Sequence, residues 1–111
     1  MNKFEYLKYH QNFMRQMQEV TKKKNADYTG KTEDPFANFT KVEVLGICST
    51  NQGFLTRMTD KFSRIISFVQ KGVLEVEDEK IEDTLMDLAN YCILFSAYIK
   101  AEKDKKNEQS V

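Results

Sequence analysis

Apolar residues recur along most of this chain at steps of three and four, which is the period of an amphipathic α-helix and not of a β-strand. The pattern predicts a first helix over about residues 2–24 and a short second helix over 36–44. It predicts a third helix from about 49 to 70 and a fourth from about 78 to 103. We therefore expect an all-α fold, a small helical bundle of three longer helices and one short helix.

The last two helices each carry an apolar stripe that we expect to be buried. In the third helix this stripe consists of Leu55, Met58, Phe62, Ile65 and Val69. In the fourth helix it consists of Ile81, Leu85, Leu88, Cys92, Phe95 and Ile99.

Capping residues predict where the helices begin and end. The basic run 22–24 suits a helix C-terminus, so a polar loop is expected over 26–34. Asp34 and Pro35 suit the N-cap and the first position of the second helix, and Gly46 suits its end.

The third helix is bounded in the same way. Ser49, Thr50 and Asn51 are all capping types, and Gly72 is a typical C-terminal stop. With 111 residues, 41% of them hydrophobic, the chain can form a core without disulfides or a structural metal. We expect a single domain over 1–104 and a flexible tail over 105–111.

Charge and residue usage exclude several classes of function. The 17 basic and 17 acidic residues balance, so there is no strong nucleic-acid signal. His10 is the single histidine, which argues against histidine-based metal sites and Ser-His-Asp triads. The apolar run 91–99 is too short to cross a bilayer, and the N-terminus lacks a signal peptide pattern. We expect a cytoplasmic protein in which Cys48 and Cys92 are reduced and inert.

Acidic residues recur every four positions in the fourth helix, at Glu79, Asp83 and Asp87. On a helix they form one stripe, and like charges at this spacing repel unless a cation lies among them. In the third helix, a polar face carries four charged residues at steps of three and four. These are Arg57, Asp60, Lys61 and Arg64. If the two helices pack as an antiparallel hairpin, this face can meet the acidic stripe.

Two interpretations of this meeting remain open. In the first, the carboxylates of Asp60, Glu79, Asp83 and Asp87 hold Mg²⁺, which prefers oxygen ligands. Arg57, Lys61 and Arg64 would then bind phosphate. In the second, the same charges form an interhelical salt-bridge network with little energetic value per exposed pair.

A second candidate site lies in the segments 24–28 and 34–39, where Asn and Asp stand beside aromatic residues. Such a set suits hydrogen bonding to the edge of a base and stacking on its face. The candidates for base binding are Tyr28, Phe36 and Asn38. Asp34, Pro35 and Phe39 are better explained as residues of a turn and of the core.

Three blocks in this order resemble the phage-enriched family called nucleotide modification associated domain, type one. The first block is 24–28 with 34–39, the second is 57–64 and the third is 79–91, and the resemblance covers roughly 24–98. The family name implies a link to nucleotide metabolism. A phage protein of this kind would act in the cytoplasm of a bacterial host.

The helical organisation is also similar to that of the all-α MazG and dimeric dUTPase group of nucleotide pyrophosphohydrolases. Those enzymes place acidic residues of two neighbouring helices around Mg²⁺ and activate a water. Here the second acidic helix has its counterpart in 79–87. In place of the group's Glu-Glu-x-x-Glu pattern, however, residues 60–64 read Asp-Lys-Phe-Ser-Arg. The resemblance therefore implies phosphate binding more directly than hydrolysis.

The leading expectation is a protein that binds a nucleotide or a nucleotide-derived ligand, and whether it is an enzyme stays open. As an enzyme it would be a Mg²⁺-dependent nucleotide pyrophosphohydrolase. One alternative is a non-catalytic phage protein that sequesters a nucleotide immune signal, and another is a structural or adaptor oligomer. Homo-oligomerisation is expected in each case, because 12% of the chain is aromatic. A second subunit would also be able to complete the site.

Overall fold

The computed structural model describes residues 1–28, 33–73 and 80–109, with the side chains of 25–28 left out. Four helices lie in this part of the chain: α1 (Lys3–Tyr28), α2 (Ala37–Val44), α3 (Thr50–Lys71) and α4 (Ile81–Gln109). The described ranges contain no β-strand. The prediction of an all-α fold with three longer helices and one short helix is confirmed. None of these described helices is both long enough and apolar enough to cross a membrane.

The chain divides into two compact units, residues 1–38 and 39–111, and each is described by itself. In the first unit, Asn2 caps α1: its Oδ1 accepts the Glu5 backbone N–H at 2.8 Å. The helix continues to Tyr28, so the predicted end near Lys24 is wrong. Residues 25–28 contain neither Gly nor Pro, and the basic run alone does not stop a helix.

Asp34 organises the turn that precedes α2. Its Oδ1 accepts the Phe36 backbone N–H at 2.9 Å, and its carbonyl oxygen accepts that of Ala37 at 3.4 Å. Asp34 and Pro35 therefore lie at the turn, as predicted, and the helix itself begins one residue later than expected, at Ala37. After Val44 the backbone reverses at Gly46, whose φ of 75° is the left-handed conformation that glycine tolerates best.

Both ends of α3 are set by local capping. Ser49 Oγ accepts the Gln52 backbone N–H at 3.1 Å, and Gln52 Oε1 accepts that of Ser49 at 3.0 Å, which completes a capping box. At the other end, Gly72 has a φ of 78° and donates its N–H to the Phe68 carbonyl at 2.7 Å. The predicted limits of the third helix are confirmed.

The helices α3 and α4 pack against each other in opposite directions. Phe54 lies beside Phe95 and Tyr98, with ring centroids 4.7 and 5.7 Å away, whereas Lys61 meets Asp87. Residue numbers thus rise in one helix as they fall in the other. The helix α4 runs on to Gln109, beyond the predicted end near residue 103. Residues 78 and 79, at its predicted start, lie outside the described residues.

Aromatic rings form the core of the second unit. Phe54 is fully buried, and Phe39, of which 5% is exposed, stacks on it with ring centroids 4.0 Å apart. Tyr91 meets the Phe39 ring edge-on at 5.9 Å. The core therefore joins α2, α3 and α4 at the N-terminal end of α3.

The predicted buried stripes of α3 and α4 are wrong at the positions that recur every seven residues. In α3 these are Leu55, Phe62 and Val69, which are 63%, 56% and 76% exposed. In α4 they are Leu85, Cys92 and Ile99, which are exposed as well. The packed positions include the residues directly before them, which are buried or half-buried. They are Phe54, Lys61 and Phe68 in α3, and Thr84, Tyr91 and Tyr98 in α4.

Candidate functional site

The half-buried pair of Lys61 and Asp87 links the charged face of α3 to the acidic stripe of α4, the two features that the sequence predicts as a site. The Lys61 Nζ lies 3.2 Å from the Asp87 Oδ2, and the two side chains are 16% and 24% exposed. The polar face of α3 therefore meets the acidic stripe of α4 at this point. A pair with so little exposure is screened less by solvent than a surface pair.

Arg64 is paired within its own helix. Its Nε lies 3.5 Å from the Asp60 Oδ2, one turn earlier, and the two side chains are 36% and 61% exposed. This is a surface pair of the i,i+4 type, which contributes little to stability. Asp60, proposed from the sequence as a metal ligand, is thus next to a cation of its own helix.

Arg57 is positioned by an aromatic ring. Its Cζ lies 4.8 Å from the centroid of the Phe39 ring, which is itself stacked on Phe54. Within residues 33–73 and 80–109, Arg57 forms no ion pair with a carboxylate. A guanidinium over a ring face gains a cation–π attraction and keeps N–H donors for other partners.

Helix geometry places the charged residues on one side of the α3–α4 hairpin. Asp60 directly precedes the packed residue Lys61, and Asp83 directly precedes the packed residue Thr84. Each residue is rotated by about 100° about the helix axis relative to the one before it. When two helices pack antiparallel, the residues that directly precede a contact position in either helix therefore point to the same side of the pair. We call this the polar side of the hairpin.

The helix α2 also lies on the polar side. Gly53 directly precedes Phe54, so it lies on the polar side, and it is close to α2. A Cβ at position 53 would lie 3.0 Å from the Val42 Cγ2. The polar side therefore has a wall formed by α2 at one end, where Arg57 rests on Phe39. Lys61 and Asp87 follow along the hairpin.

No group of three or more His, Cys, Asp or Glu side chains that could hold a metal occurs in the part of the chain that the structure describes. Asp60 and Asp87 are each next to a cation of α3. Glu79, the remaining predicted ligand, lies outside the described residues, so the magnesium site stays a prediction.

The predicted base-binding residues belong to the first unit. The side chain of Tyr28 lies outside the described residues, whereas Phe36 and Asn38 are both half-buried. Phe39 is a core residue, as expected. The base-binding assignment of Tyr28, Phe36 and Asn38 stays a prediction.

The contact of Arg57 with Phe39 is the part of the site that sequence reasoning misses. The two residues lie on different helices and far apart in the chain, so no periodicity joins them. A usable signal does exist in the placement of Phe39 just after the Asp-Pro turn, which predicts that it is fixed to the core.

A protein-family model described as nucleotide modification associated domain 1 matches residues 49–100 of the chain. The resemblance noted from the sequence is thus confirmed for its second and third blocks, which contain the cations of α3 and the acids of α4. The first block, 24–28 with 34–39, lies outside the matched residues. Neither a curated protein nor a solved structure matches the chain.

Proposed function

We propose that this chain, whose residues 49–100 match nucleotide modification associated domain 1, binds a nucleotide or a nucleotide-derived ligand by its phosphate groups. The phosphate-binding residues would be Arg57, Lys61 and Arg64 on the polar side of the hairpin. The matched residues include all three cations. The family description supplies the link to nucleotides, and the geometry of these side chains supports phosphate as the group that is recognised.

The observation that carries the proposal is the position of Arg57 over the Phe39 ring at 4.8 Å. A buried aromatic holds this guanidinium in place, and no described carboxylate neutralises it. Phosphate is recognised well by such an arginine, because its planar set of N–H donors matches two phosphate oxygens at once. Because the Arg57 side chain is already ordered in the folded protein, it loses less conformational entropy when a ligand binds.

Lys61 and Arg64 add to the site through exchange of partners. Each is within 3.5 Å of a carboxylate, Asp87 and Asp60 respectively. A phosphate that approaches the polar side brings oxygens that accept charge-assisted hydrogen bonds from both cations. The exposed Arg64 pair exchanges more readily, because surface pairs are weak.

Titration calorimetry with a panel of nucleoside mono-, di- and triphosphates and cyclic dinucleotides, with and without Mg²⁺, tests the proposal. We expect Arg57→Gln to weaken binding about tenfold or more, which corresponds to the loss of one charge-assisted contact. Arg57→Lys retains the charge and loses the planar donor set, so it should recover only part of the affinity. Arg15→Gln, an exposed arginine of α1, is the matched control and should leave binding unchanged.

The same samples separate hydrolysis from sequestration. Release of pyrophosphate or phosphate that requires Mg²⁺ and is lost in Asp83→Asn would support a pyrophosphohydrolase, as expected if Asp60, Glu79, Asp83 and Asp87 hold the metal. Recovery of intact ligand after tight binding would support the alternative, a non-catalytic phage protein that sequesters a nucleotide signal in the host cytoplasm. Absence of binding to every ligand in the panel would overturn the proposal and favour the structural or adaptor role.

The base-recognition part of the proposal rests on Tyr28, Phe36 and Asn38. If they read the base, Phe36→Ala should reduce the difference in affinity between ligands with different bases. Binding of inorganic pyrophosphate should stay as in the unaltered chain, since it has no base to stack. An equal loss for pyrophosphate and for nucleotides would remove Phe36 from the site.

A further inference from the structure

The α3–α4 hairpin has a second side, opposite the polar one, and it is apolar and exposed. Leu55, Phe62 and Val69 each directly follow a packed residue of α3. Leu85 and Ile99 stand in the same relation to packed residues of α4. In two antiparallel helices, the residues that directly follow a packed position all point to one side of the pair. This is the side opposite to the one on which Asp60 and Asp83 lie.

The two exposed lines also share a period. In α3 the line repeats every seven residues, as Leu55, Phe62 and Val69. In α4 it repeats as Leu85, Cys92 and Ile99. A seven-residue repeat on a helix is the pattern that packs side by side against another helix over several turns. We call the surface formed by these six residues, together with Ile66, the apolar side of the hairpin.

We propose that the apolar side of the α3–α4 hairpin is the interface with a second copy of this chain. Two hairpins would meet face to face about a two-fold axis, so that α3 of each copy lies against α4 of the other. Such an interface uses the same patch on both copies and closes on itself. The result is a four-helix arrangement at the centre of a dimer.

The size of the surface fits this partner. The apolar side runs from Leu55 to Val69, which lie 14 residues apart, so it is about 21 Å long and about 20 Å wide, roughly 420 Å² in projection. Stable interfaces bury about 800 Å² on each partner, and side-chain relief raises the projected value toward that figure. The apolar side is thus large enough to form the centre of a dimer interface, with the flanking residues of α3 and α4 as its rim.

The charge pattern favours a second copy over a partner of opposite charge. Charged residues make up 31% of the chain, yet the positions interleaved with the two exposed lines on the same side, Thr59, Ile66, Ala89 and Ser96, are uncharged as well. A surface that carries charge of one sign repels itself, whereas an uncharged one does not. Depletion of charge at the centre of a patch is also typical of dimer interfaces. Both features suit self-association.

The dimer has a consequence for the polar side. Because the polar and apolar sides face opposite directions, dimerisation by the apolar side leaves Arg57, Asp60 and Asp83 facing outward. Each copy would therefore bind phosphate with its own residues, and the second copy would not supply carboxylates to the site. The dimer proposal does not depend on the proposed function, and its test needs no ligand.

Sedimentation equilibrium of the full chain at micromolar concentration, together with Leu55→Glu and Leu45→Glu, tests the interface. We expect the unaltered chain to have twice the chain mass of 13.0 kDa. Leu55→Glu should raise the dimer dissociation constant about tenfold or more, because it places a charge in a dehydrated contact. Leu45→Glu is the matched control, since both leucines are 63% exposed, and it should leave the dimer intact.

A second readout uses Cys92, which is exposed in the single chain and lies on the apolar side. In a Cys48→Ser background, labelling of Cys92 by a maleimide should slow several-fold as the chain concentration rises through the dissociation constant. This measurement needs no destabilising change, so it remains decisive if Leu55→Glu fails to fold. A monomeric chain with constant labelling would overturn the proposal and assign the apolar side to a different occupant. Equal dissociation by Leu55→Glu and Leu45→Glu would also overturn it.

Discussion

Lys61 and Asp87 join α3 to α4 by an ion pair of 3.2 Å in which less than a quarter of either side chain is exposed. We expect Lys61→Met to lower the free energy of unfolding by about 1–3 kcal/mol, between the values for exposed and for buried pairs, because the part-buried Asp87 loses this cation. Urea denaturation followed by circular dichroism measures the change.

The control for this pair is Lys100 with Asp104, an ion pair of 2.7 Å on the surface of α4 with side chains 77% and 56% exposed. Lys100→Met should change stability by less than about 0.5 kcal/mol. A double-mutant cycle of Lys61→Met and Asp87→Asn should give a coupling energy of about 1 kcal/mol. A coupling energy near zero would mean that the two groups interact no more strongly than the exposed control pair.

Phe54 is the centre of the aromatic core, fully buried and in contact with the rings of Phe39, Phe95 and Tyr98. Phe54→Ala should destabilise the protein by about 3–5 kcal/mol, since it removes a buried ring and leaves a cavity. Phe4→Ala, at a phenylalanine that is 76% exposed on α1, should cost less than about 0.5 kcal/mol. The midpoints of thermal unfolding of the two variants check this difference.

The sequence predicts the ends of α3 because they depend on local chemistry. Ser49, Gln52 and Gly72 form the cap and the stop within a few residues of the helix they bound, so their identities suffice. The prediction of the end of α1 fails because the local signal there is weak. A basic run favours a C-terminus without enforcing one, and α1 continues past it to Tyr28.

The sequence does not predict which side of α3 and α4 is buried. Two lines of every-seventh residues run side by side on α3, and the one that contains Leu55, Phe62 and Val69 is entirely apolar. The line that packs contains Lys61, which looks like a surface residue until Asp87 of another helix is placed beside it. Burial of a lysine thus depends on a tertiary contact that no local pattern shows.

The sequence predicts only part of the candidate site, because the spacing of residues within a helix is local and their partners on other helices are not. The spacing of Arg57, Lys61 and Arg64 follows from helical geometry alone, so these residues can be grouped from the sequence. Their partners cannot, because Phe39 and Asp87 are brought to them by packing of α2 and α4. The choice between a phosphate site and a salt-bridge network depends on those partners.

Gly72 ends α3 in a left-handed conformation, with a φ of 78°, and a Cβ at this position would meet no atom within 4 Å. The cost of Gly72→Ala is therefore conformational and should be about 1 kcal/mol. Gly72→Asn should cost less, since asparagine tolerates this conformation better than alanine. Chemical denaturation of both variants decides the cause, because a steric cost would make the larger asparagine the worse residue.

Thr50 opens α3 with 1% of its surface exposed, and its Oγ1 has no hydrogen-bond partner among residues 1–28, 33–73 and 80–109. Burial of a hydroxyl without a partner costs free energy, and valine has nearly the same shape without the polar atom. We therefore expect Thr50→Val to raise the free energy of unfolding by about 1 kcal/mol. The backbone N–H of residue 50, which donates to the Glu43 carboxylate at 3.2 Å, is retained in the variant.

The matched control is Thr56→Val, at an exposed threonine whose hydroxyl donates to the Gln52 carbonyl at 2.8 Å, and this variant should show no gain in urea denaturation. A loss of stability in Thr50→Val as large as the expected gain would show that the hydroxyl is satisfied in solution.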